Sequence, residues 1–334
     1  MDSITTALST ATATIAAAPE QATITAQIAT STAIPSGYSV NYPHFVKWSS
    51  APAAYVFAIL TALITICMFR NLVTKAKARH TKMIYLYLFI WGLFRFVSFI
   101  LRGYILTDNN GTQWSVYVAA SILSSVGFMP LCEVMAFCTL EGSSLAFGFT
   151  TRQNKMYDLL IKFLFATFGT TVTAFAIDFT CNKPFGSNPK DYHGDLALRE
   201  FGFDGLILLT VYALVGSLRN YLAVATTGKV PGAFVGRYRM MMGVIVFQAM
   251  LMIIKLTYTV YRAWNPYELR DEGVWYILSI FPEYIFVFFY VNHHFLKVYD
   301  DIEEHTKKAG DKESLESIGM DVKAEEGKVE TPSV

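Results

Sequence analysis

Charged side chains are scarce in this sequence. They make up 16% of the 334 residues, whereas soluble domains average about a quarter. Hydrophobic residues account for 53%, and a soluble fold of this length could not hide so much apolar surface from water. The net charge of +1 also lacks the basic excess that is typical of nucleic-acid-binding domains. The composition therefore indicates a membrane protein without a nucleic-acid partner.

Residues suited to catalysis or metal binding are few and poorly spaced. The four cysteines show no CxxC pattern, and among the six histidines only His293 and His294 are neighbours near an apolar run. Adjacent residues of a helix point about 100° apart, so this pair cannot face one metal ion. The phosphate-binding pattern GxxxxGK[ST] is also missing. The sequence predicts no catalytic residue, no metal site and no cofactor, and hence no enzyme.

Seven apolar runs, here called spans 1 to 7, fill most of the chain between residues 51 and 296. A helix needs about 20 residues to cross the hydrocarbon core of a bilayer. Runs this continuous do not match the alternating strands of a barrel. The sequence therefore predicts an all-α membrane protein with seven transmembrane helices, at Ala51–Phe69, Met83–Gly103, Trp114–Leu140, Leu159–Phe179, Phe201–Leu222, Met240–Tyr261 and Val274–Leu296.

The two ends of the chain differ from the middle. Residues 1–46 contain no Lys or Arg and are crowded with Ser, Thr and Ala, while the chain beyond residue 300 is strongly acidic and free of aromatic residues. Such compositions do not bury enough apolar area to offset the entropy of ordering. We therefore expect a disordered Ser/Thr-rich segment at 1–46, a transmembrane domain at 47–299 and an acidic disordered tail at 300–334.

Basic residues lie in alternate loops. The loops between spans 1 and 2, 3 and 4, and 5 and 6 carry Lys and Arg, and the positive-inside rule places such loops in the cytoplasm. This predicts an outside N-terminus and a cytoplasmic C-terminus in the plasma membrane or an endomembrane. The acceptor pattern Asn110-Gly-Thr112 then lies on the outer side, which predicts glycosylation at Asn110.

Ionisable residues inside the spans are the main clue to function, since each is costly at bilayer depth unless paired or hydrated. Arg95, Lys255 and Glu283 fall at similar depth, and Asp204 lies nearer the outer edge. We expect these four residues to line an outward-opening polar cavity between spans 2, 5, 6 and 7 that binds a substrate. The alternative is a set of buried ion bridges that only fixes the register of the helices.

A proline and a carboxylate interrupt span 3. Pro130 lacks the N–H of a helical residue and should kink the span, and Glu133 follows three residues later. This pair is typical of a hinge or a proton-linked site. A structural role, with Glu133 hydrogen-bonded to a neighbour, is the alternative.

Three stretches resemble the fungal lipid-translocating exporter family associated with aminocholesterol resistance. They are YVAASILSSVGFMPLCEVMAFCTL, IIKLTYTVYR and DEGVWYILSIFPEYIFVFFYVNHHF. Positions that match the family pattern are Lys255, Arg262, Glu272, Tyr276 and His294. Lys255 stands where the family has Arg, and His294 is followed by Phe rather than Pro. The resemblance covers spans 2 to 7 and implies a fungal seven-helix protein that handles lipid.

Together these arguments predict a multi-pass membrane protein that binds or translocates a lipid or sterol-like amphiphile. Its partners are membrane lipids or an amphiphilic small molecule, and an anionic head is expected to be drawn to Arg95 or Lys255. The alternative is a seven-helix receptor or sensor that signals through the basic cytoplasmic loops. No feature of the sequence fixes the oligomeric state.

Overall fold

In the computed structural model, the described part of the protein is built from seven long helical spans. The structure describes residues 41–45, 48–76, 78–107, 110–182, 193–264, 271–302, 304 and 305. These residues are almost entirely helical and include no strand. Seven helices are long and apolar enough to cross a membrane, which confirms the predicted fold class. Residues 1–40, most of the predicted Ser/Thr-rich segment, and 306–334 of the predicted tail lie outside the described residues.

Five spans are single helices and two are interrupted. Span 3 consists of two helices, and span 7 combines a helical turn, a π-helical turn and a longer helix. The bounds are Ala51–Thr74 (span 1), Arg79–Leu106 (span 2), Trp114–Val126 and Met129–Phe147 (span 3), Thr151–Asn182 (span 4), His193–Thr227 (span 5), Gly232–Trp264 (span 6), and Glu272–Trp275, Tyr276–Ile280 and Phe281–Val291 (span 7).

Most helices extend beyond their predicted ends. Span 2 begins at Arg79 rather than at Met83, and span 5 begins at His193 rather than at Phe201. Charged and polar residues interrupt the apolar run at these ends, but they do not interrupt the hydrogen bonding of the helix. Apolar runs measure the part of a helix in hydrocarbon, so they miss the turns that lie in the interface or in water.

Span 7 ends at an earlier residue than predicted. Its last helical residue is Val291, and His293–Phe295 forms a separate 3₁₀ turn. Asn292 adopts an extended backbone (φ −93°, ψ 120°), and its side chain accepts a hydrogen bond from the backbone N–H of His294 at 3.2 Å. The local capping by Asn292 ends the helix before the apolar run ends.

The spans pack into one bundle whose outer surface is as apolar as its interior. Span 1 packs against span 2, span 5 packs against spans 4 and 6 and the second half of span 3, and span 7 contacts spans 1 and 6. Phe286 and Tyr290 of span 7 are fully buried, whereas Phe163, Leu208 and Phe288 are exposed. Large exposed apolar side chains all around a bundle are typical of a surface that faces lipid.

Both helix interruptions come directly before a proline. Span 3 breaks at Gly127 and Phe128, and span 7 contains its π turn just before Pro282. A proline ring clashes with the carbonyl four residues earlier and offers no N–H to the helix. For Pro130 that carbonyl belongs to Val126, the last residue of the first helix of span 3. The structure thus shows a break at the predicted kink.

Short parts of both predicted terminal regions are structured. At one end the helix Tyr42–Phe45 places the Tyr42 ring 5.2 Å from the ring of Trp114. At the other end residues 297–302 are helical, and Thr81 Oγ1 donates a hydrogen bond of 2.8 Å to Asp300 Oδ1. The bundle therefore extends a few residues beyond both predicted boundaries, 47 and 299. The end of the bundle at which span 1 begins is called the proximal face below.

Close packing of spans 4 and 5 predicts that Gly202→Ala destabilises the protein. An added Cβ would lie 2.6 Å from Thr171 Oγ1 and 3.1 Å from the backbone oxygen of Phe168, and overpacking of this kind costs about 1–3 kcal/mol. Gly236→Ala is the matched control, since nothing lies within 4 Å of the added Cβ. We expect a lower thermal midpoint in detergent for Gly202→Ala alone. Equal midpoints for the two variants would contradict this packing.

Candidate functional site

Three buried ionisable side chains from three spans meet inside the bundle. The Arg95 guanidinium of span 2 binds the Glu283 carboxylate of span 7 through both oxygens, with Nε–Oε2 at 2.7 Å and Nη2–Oε1 at 2.5 Å. The Lys255 ammonium of span 6 lies 2.5 Å from Glu283 Oε1. All three residues are at most 2% exposed. We call this group the ion cluster.

The charged groups of the ion cluster form hydrogen bonds with each other and with neighbouring groups of the protein. Glu283 accepts from Trp91 Nε1 at 2.7 Å in addition to the two cations, so four N–H donors meet a carboxylate that has about four acceptor sites. The three N–H groups of Lys255 have three partners, because Nζ also donates to Ser279 Oγ at 2.8 Å and Ser279 O at 3.0 Å. Arg95 Nη1 donates to Ser124 O at 2.9 Å. These contacts fit an anchor that fixes spans 2, 6 and 7 relative to each other.

A cavity of about 310 Å³ lies between the ion cluster and the proximal face. Spans 2 to 7 all contribute to its wall, as does Trp48, which precedes span 1. The sequence predicted a cavity between spans 2, 5, 6 and 7 only. Spans 3 and 4 line it as well: the first part of span 3 runs beside it and its break places Phe128 at the cavity floor.

The cavity wall combines cations, hydroxyl groups and aromatic rings. The basic residues are Arg102, Arg199, Lys255 and Arg262. Hydroxyl groups come from Ser121, Ser124, Ser125, Thr259 and Ser279. Aromatic rings come from Trp48, Phe128, Phe175, Phe203 and Trp275, among others. No acidic side chain is among the described residues that line the wall, so this lining is suited to an anionic or hydrogen-bonding group.

Positive charge exceeds negative charge around the cavity. The ion cluster has two cations and one carboxylate, and Arg102 Nη2 pairs with Glu272 Oε1 at 2.6 Å. Arg199 and Arg262 have no carboxylate partner within the described part of the chain. The five cations of the ion cluster and the wall thus share two carboxylate partners. Arg262 is close enough to Arg199 and Arg102 for the like charges to interact.

Residues 48–50, called the strap, contribute Trp48 to the cavity wall and are tied to span 7. Glu272 Oε2 accepts hydrogen bonds from Ser49 N and Ser49 Oγ at 2.7 Å and from Ser50 N at 3.0 Å. The Trp48 ring lies over the Arg102 guanidinium, 4.5 Å from Cζ to the ring centroid. Glu272 thus holds both the strap and Arg102 in place.

The other residues predicted for the site lie elsewhere. Asp204 is exposed on span 5 and is not part of the described cavity wall. Glu133 is half-buried in the second helix of span 3, beside Tyr87, Asp158 and Lys162. Pro130 and Glu133 as a hinge or proton-linked site stay a prediction. Asn110 begins a 3₁₀ turn, Asn110–Thr112, and its glycosylation also stays a prediction.

Sequence reasoning missed Arg102, Arg199 and Arg262 as wall residues. Arg199 and Arg262 stand just outside the predicted ends of spans 5 and 6, so a search within the apolar runs passed over them. A helical spacing could have found two of the three. Arg102 follows Arg95 by seven residues and Arg262 follows Lys255 by seven, which is two helical turns and places each pair on one face.

Comparisons with known proteins find no relative. Searches against protein-family models, curated proteins and solved structures give no match for this chain. The resemblance to the lipid-translocating exporters therefore stays a prediction, and the functional argument depends on the geometry of the cavity.

The contacts of the ion cluster predict that Glu283→Gln strongly destabilises the protein. The variant keeps the shape of the side chain but leaves two buried cations without their carboxylate, and breaking a buried ion pair costs roughly 3–5 kcal/mol. Asp204→Asn, which removes an exposed carboxylate from span 5, is the control and should have little effect. The measurement is the thermal midpoint of the purified protein in detergent. A wild-type midpoint for Glu283→Gln would contradict the anchoring role.

Proposed function

We propose that the protein binds and translocates a membrane amphiphile whose polar head enters the cavity. The observation that supports this most is a polar, cationic cavity within the helices that span the membrane. Lys255 lies inside an apolar run, where a cation is costly, and Arg199 and Arg262, just outside the apolar runs of spans 5 and 6, gain no ion pair among the described residues. A polar ligand provides the reason to keep them there.

The size of the cavity fits the head of a lipid and not the whole molecule. Ligand pockets usually measure about 300–1,000 Å³, and this cavity has about 310 Å³. Acyl chains then remain outside, against the apolar surfaces of the spans. Aromatic rings at the proximal end, from Trp48 and Trp275, match the interfacial level at which lipid heads lie.

The helix breaks next to the cavity floor provide points at which the spans can bend. Phe128 belongs to the break in span 3, and Ser279 belongs to the π turn of span 7. Both residues line the cavity. Breaks of this kind absorb changes of backbone direction, and a movement at Ser279 would also act on Lys255, which donates two hydrogen bonds to it.

Reconstitution into liposomes tests this function. Vesicles that contain the protein and a fluorescent phospholipid should lose fluorescence beyond the outer-leaflet fraction when a membrane-impermeant quencher is added, because lipid crosses through the protein. Ser125→Trp places a large side chain in the wall and should reduce the crossing rate at least about tenfold through steric exclusion. Val215→Trp, at an exposed position on span 5, is the matched control and should keep the wild-type rate.

Protein-free rates in vesicles that contain the wild-type protein would contradict the proposal. The same result together with a changed second-messenger response in cells would favour the receptor alternative. Equal loss of activity in Ser125→Trp and Val215→Trp would show that the tryptophan effect does not report on the cavity.

A further inference from the structure

The basic residues of the cavity differ in how many of their N–H groups are already used. Each N–H of Lys255 has a partner within the protein, and Arg95 lies behind the cavity wall with both ends of its guanidinium bound. Lys255 cannot bind a ligand without breaking a contact of the ion cluster, and Arg95 does not belong to the described cavity wall. The sequence predicted that an anionic head binds to Arg95 or Lys255. These contacts instead favour binding at the arginines nearer the proximal face.

Arg199 and Arg262 retain N–H groups for a ligand, and Arg262 also lies beside the Tyr258 hydroxyl. The Arg199 guanidinium lies over the rings of Phe175 and Phe203, with Cζ 5.0 Å and 5.6 Å from the centroids. Rings orient a guanidinium but leave its N–H edge free for hydrogen bonds. Within the described residues no carboxylate pairs with either arginine. Both belong to the cavity wall.

Arg102 adds a third guanidinium whose position is fixed. Its Nη2 pairs with Glu272 Oε1, and the ring centroids of Trp48 and Trp275 lie 4.5 Å and 4.3 Å from its Cζ. Its Nε is buried and has no hydrogen-bond partner among the described residues. A buried N–H without a partner costs free energy until a ligand or water accepts from it. Arg102 is thus oriented in advance, with one donor unused.

Three guanidinium groups at one end of a cavity repel each other unless an anion lies between them. An anion with more than one negative charge best offsets several cations that have no carboxylate partner. A phosphate monoester carries about −1.5 to −2 charges near pH 7 and offers three strong acceptor oxygens. Its geometry also suits the planar fork of arginine, which binds phosphate through two N–H groups at once.

We propose that Arg199 and Arg262, with Arg102 beside them, bind the phosphate monoester head of a membrane lipid. The ion cluster is the support beneath this site and does not contact the phosphate. This assignment rests on the proposed function, because it names the head that enters the cavity. The hydroxyl groups of Ser121 and Ser125 on the span 3 side of the cavity are available for the remaining polar atoms of the head.

Calorimetric titration of the purified full-length protein in an uncharged detergent tests the site. The probes are short-chain phosphatidic acid, phosphatidylcholine with the same chains, a cationic amine with a similar chain, and inorganic phosphate. We expect phosphatidic acid to bind at least about tenfold more tightly than the other three, and its affinity to fall as salt is added.

Variants of the arginines test which residues bind the phosphate. Arg199→Gln and Arg262→Gln should each weaken phosphatidic acid binding about tenfold or more, since each removes charge-assisted hydrogen bonds. Arg152→Gln removes an exposed arginine from the opposite end of span 4 and should stay within about twofold of wild type. Loss of a repelling charge should not lower the thermal midpoint of either variant. If one of them does unfold, Arg199→Lys, which keeps the charge and loses the fork, replaces it and should still weaken binding.

The outcomes distinguish the phosphate site from the proposed function, which is the binding and translocation of an amphiphile. Equal binding of all three amphiphiles, unchanged in Arg199→Gln and Arg262→Gln, would overturn the phosphate site and leave amphiphile binding intact. Binding of inorganic phosphate as tight as that of phosphatidic acid would show a soluble ligand and overturn the lipid assignment. Binding of none of the four probes would overturn the phosphate site, and the translocation assay then decides the proposed function separately.

Discussion

The carboxylate of Glu283, buried between two cations in the middle of the bundle, is the interaction on which the structure depends. Lipid does not solvate charges, so a charge inside the bundle is costly unless it is paired within the protein or hydrated. Glu283 brings a guanidinium from span 2 and an ammonium from span 6 to span 7. Hydrophobic contacts hold helices together in lipid only weakly, because the tails are as apolar as the side chains. The ion cluster therefore fixes the relative depth of three spans.

The cavity follows from this arrangement and from the two helix breaks beside it. Backbone carbonyls near the breaks serve the ion cluster: Ser124 O accepts from Arg95 and Ser279 O accepts from Lys255. Because the ion cluster uses its own N–H groups, the charge available to a ligand is carried by the arginines nearer the proximal face. The same face holds the strap, which Glu272 ties to span 7. The ion cluster, the cavity and the strap thus follow one another from the interior of the bundle to the proximal face.

Hydropathy was sufficient to predict the seven spans, because lipid imposes a length and a composition that soluble cores do not. Depth along each helix also predicted that Arg95, Lys255 and Glu283 could meet. Depth does not give the rotation of a helix about its axis, so Asp204 was placed in the cavity although it faces outward. Because the helices continue past the apolar runs, Arg199 was missed and Arg262 was named only through the family resemblance. The orientation in the membrane stays a prediction.

The electrostatic potential inside the cavity is the most direct test of this account. Cysteine is introduced at Ser125 in the wall and, as a reference, at the exposed Thr150, with Cys67 and Cys181 replaced by serine. The rates of modification by a sulfonate-bearing and a trimethylammonium-bearing methanethiosulfonate are then compared. A cationic cavity above a saturated ion cluster predicts that the anionic reagent is favoured about tenfold or more at position 125 relative to position 150. Equal ratios at the two positions, or a preference for the cationic reagent at 125, would contradict the account.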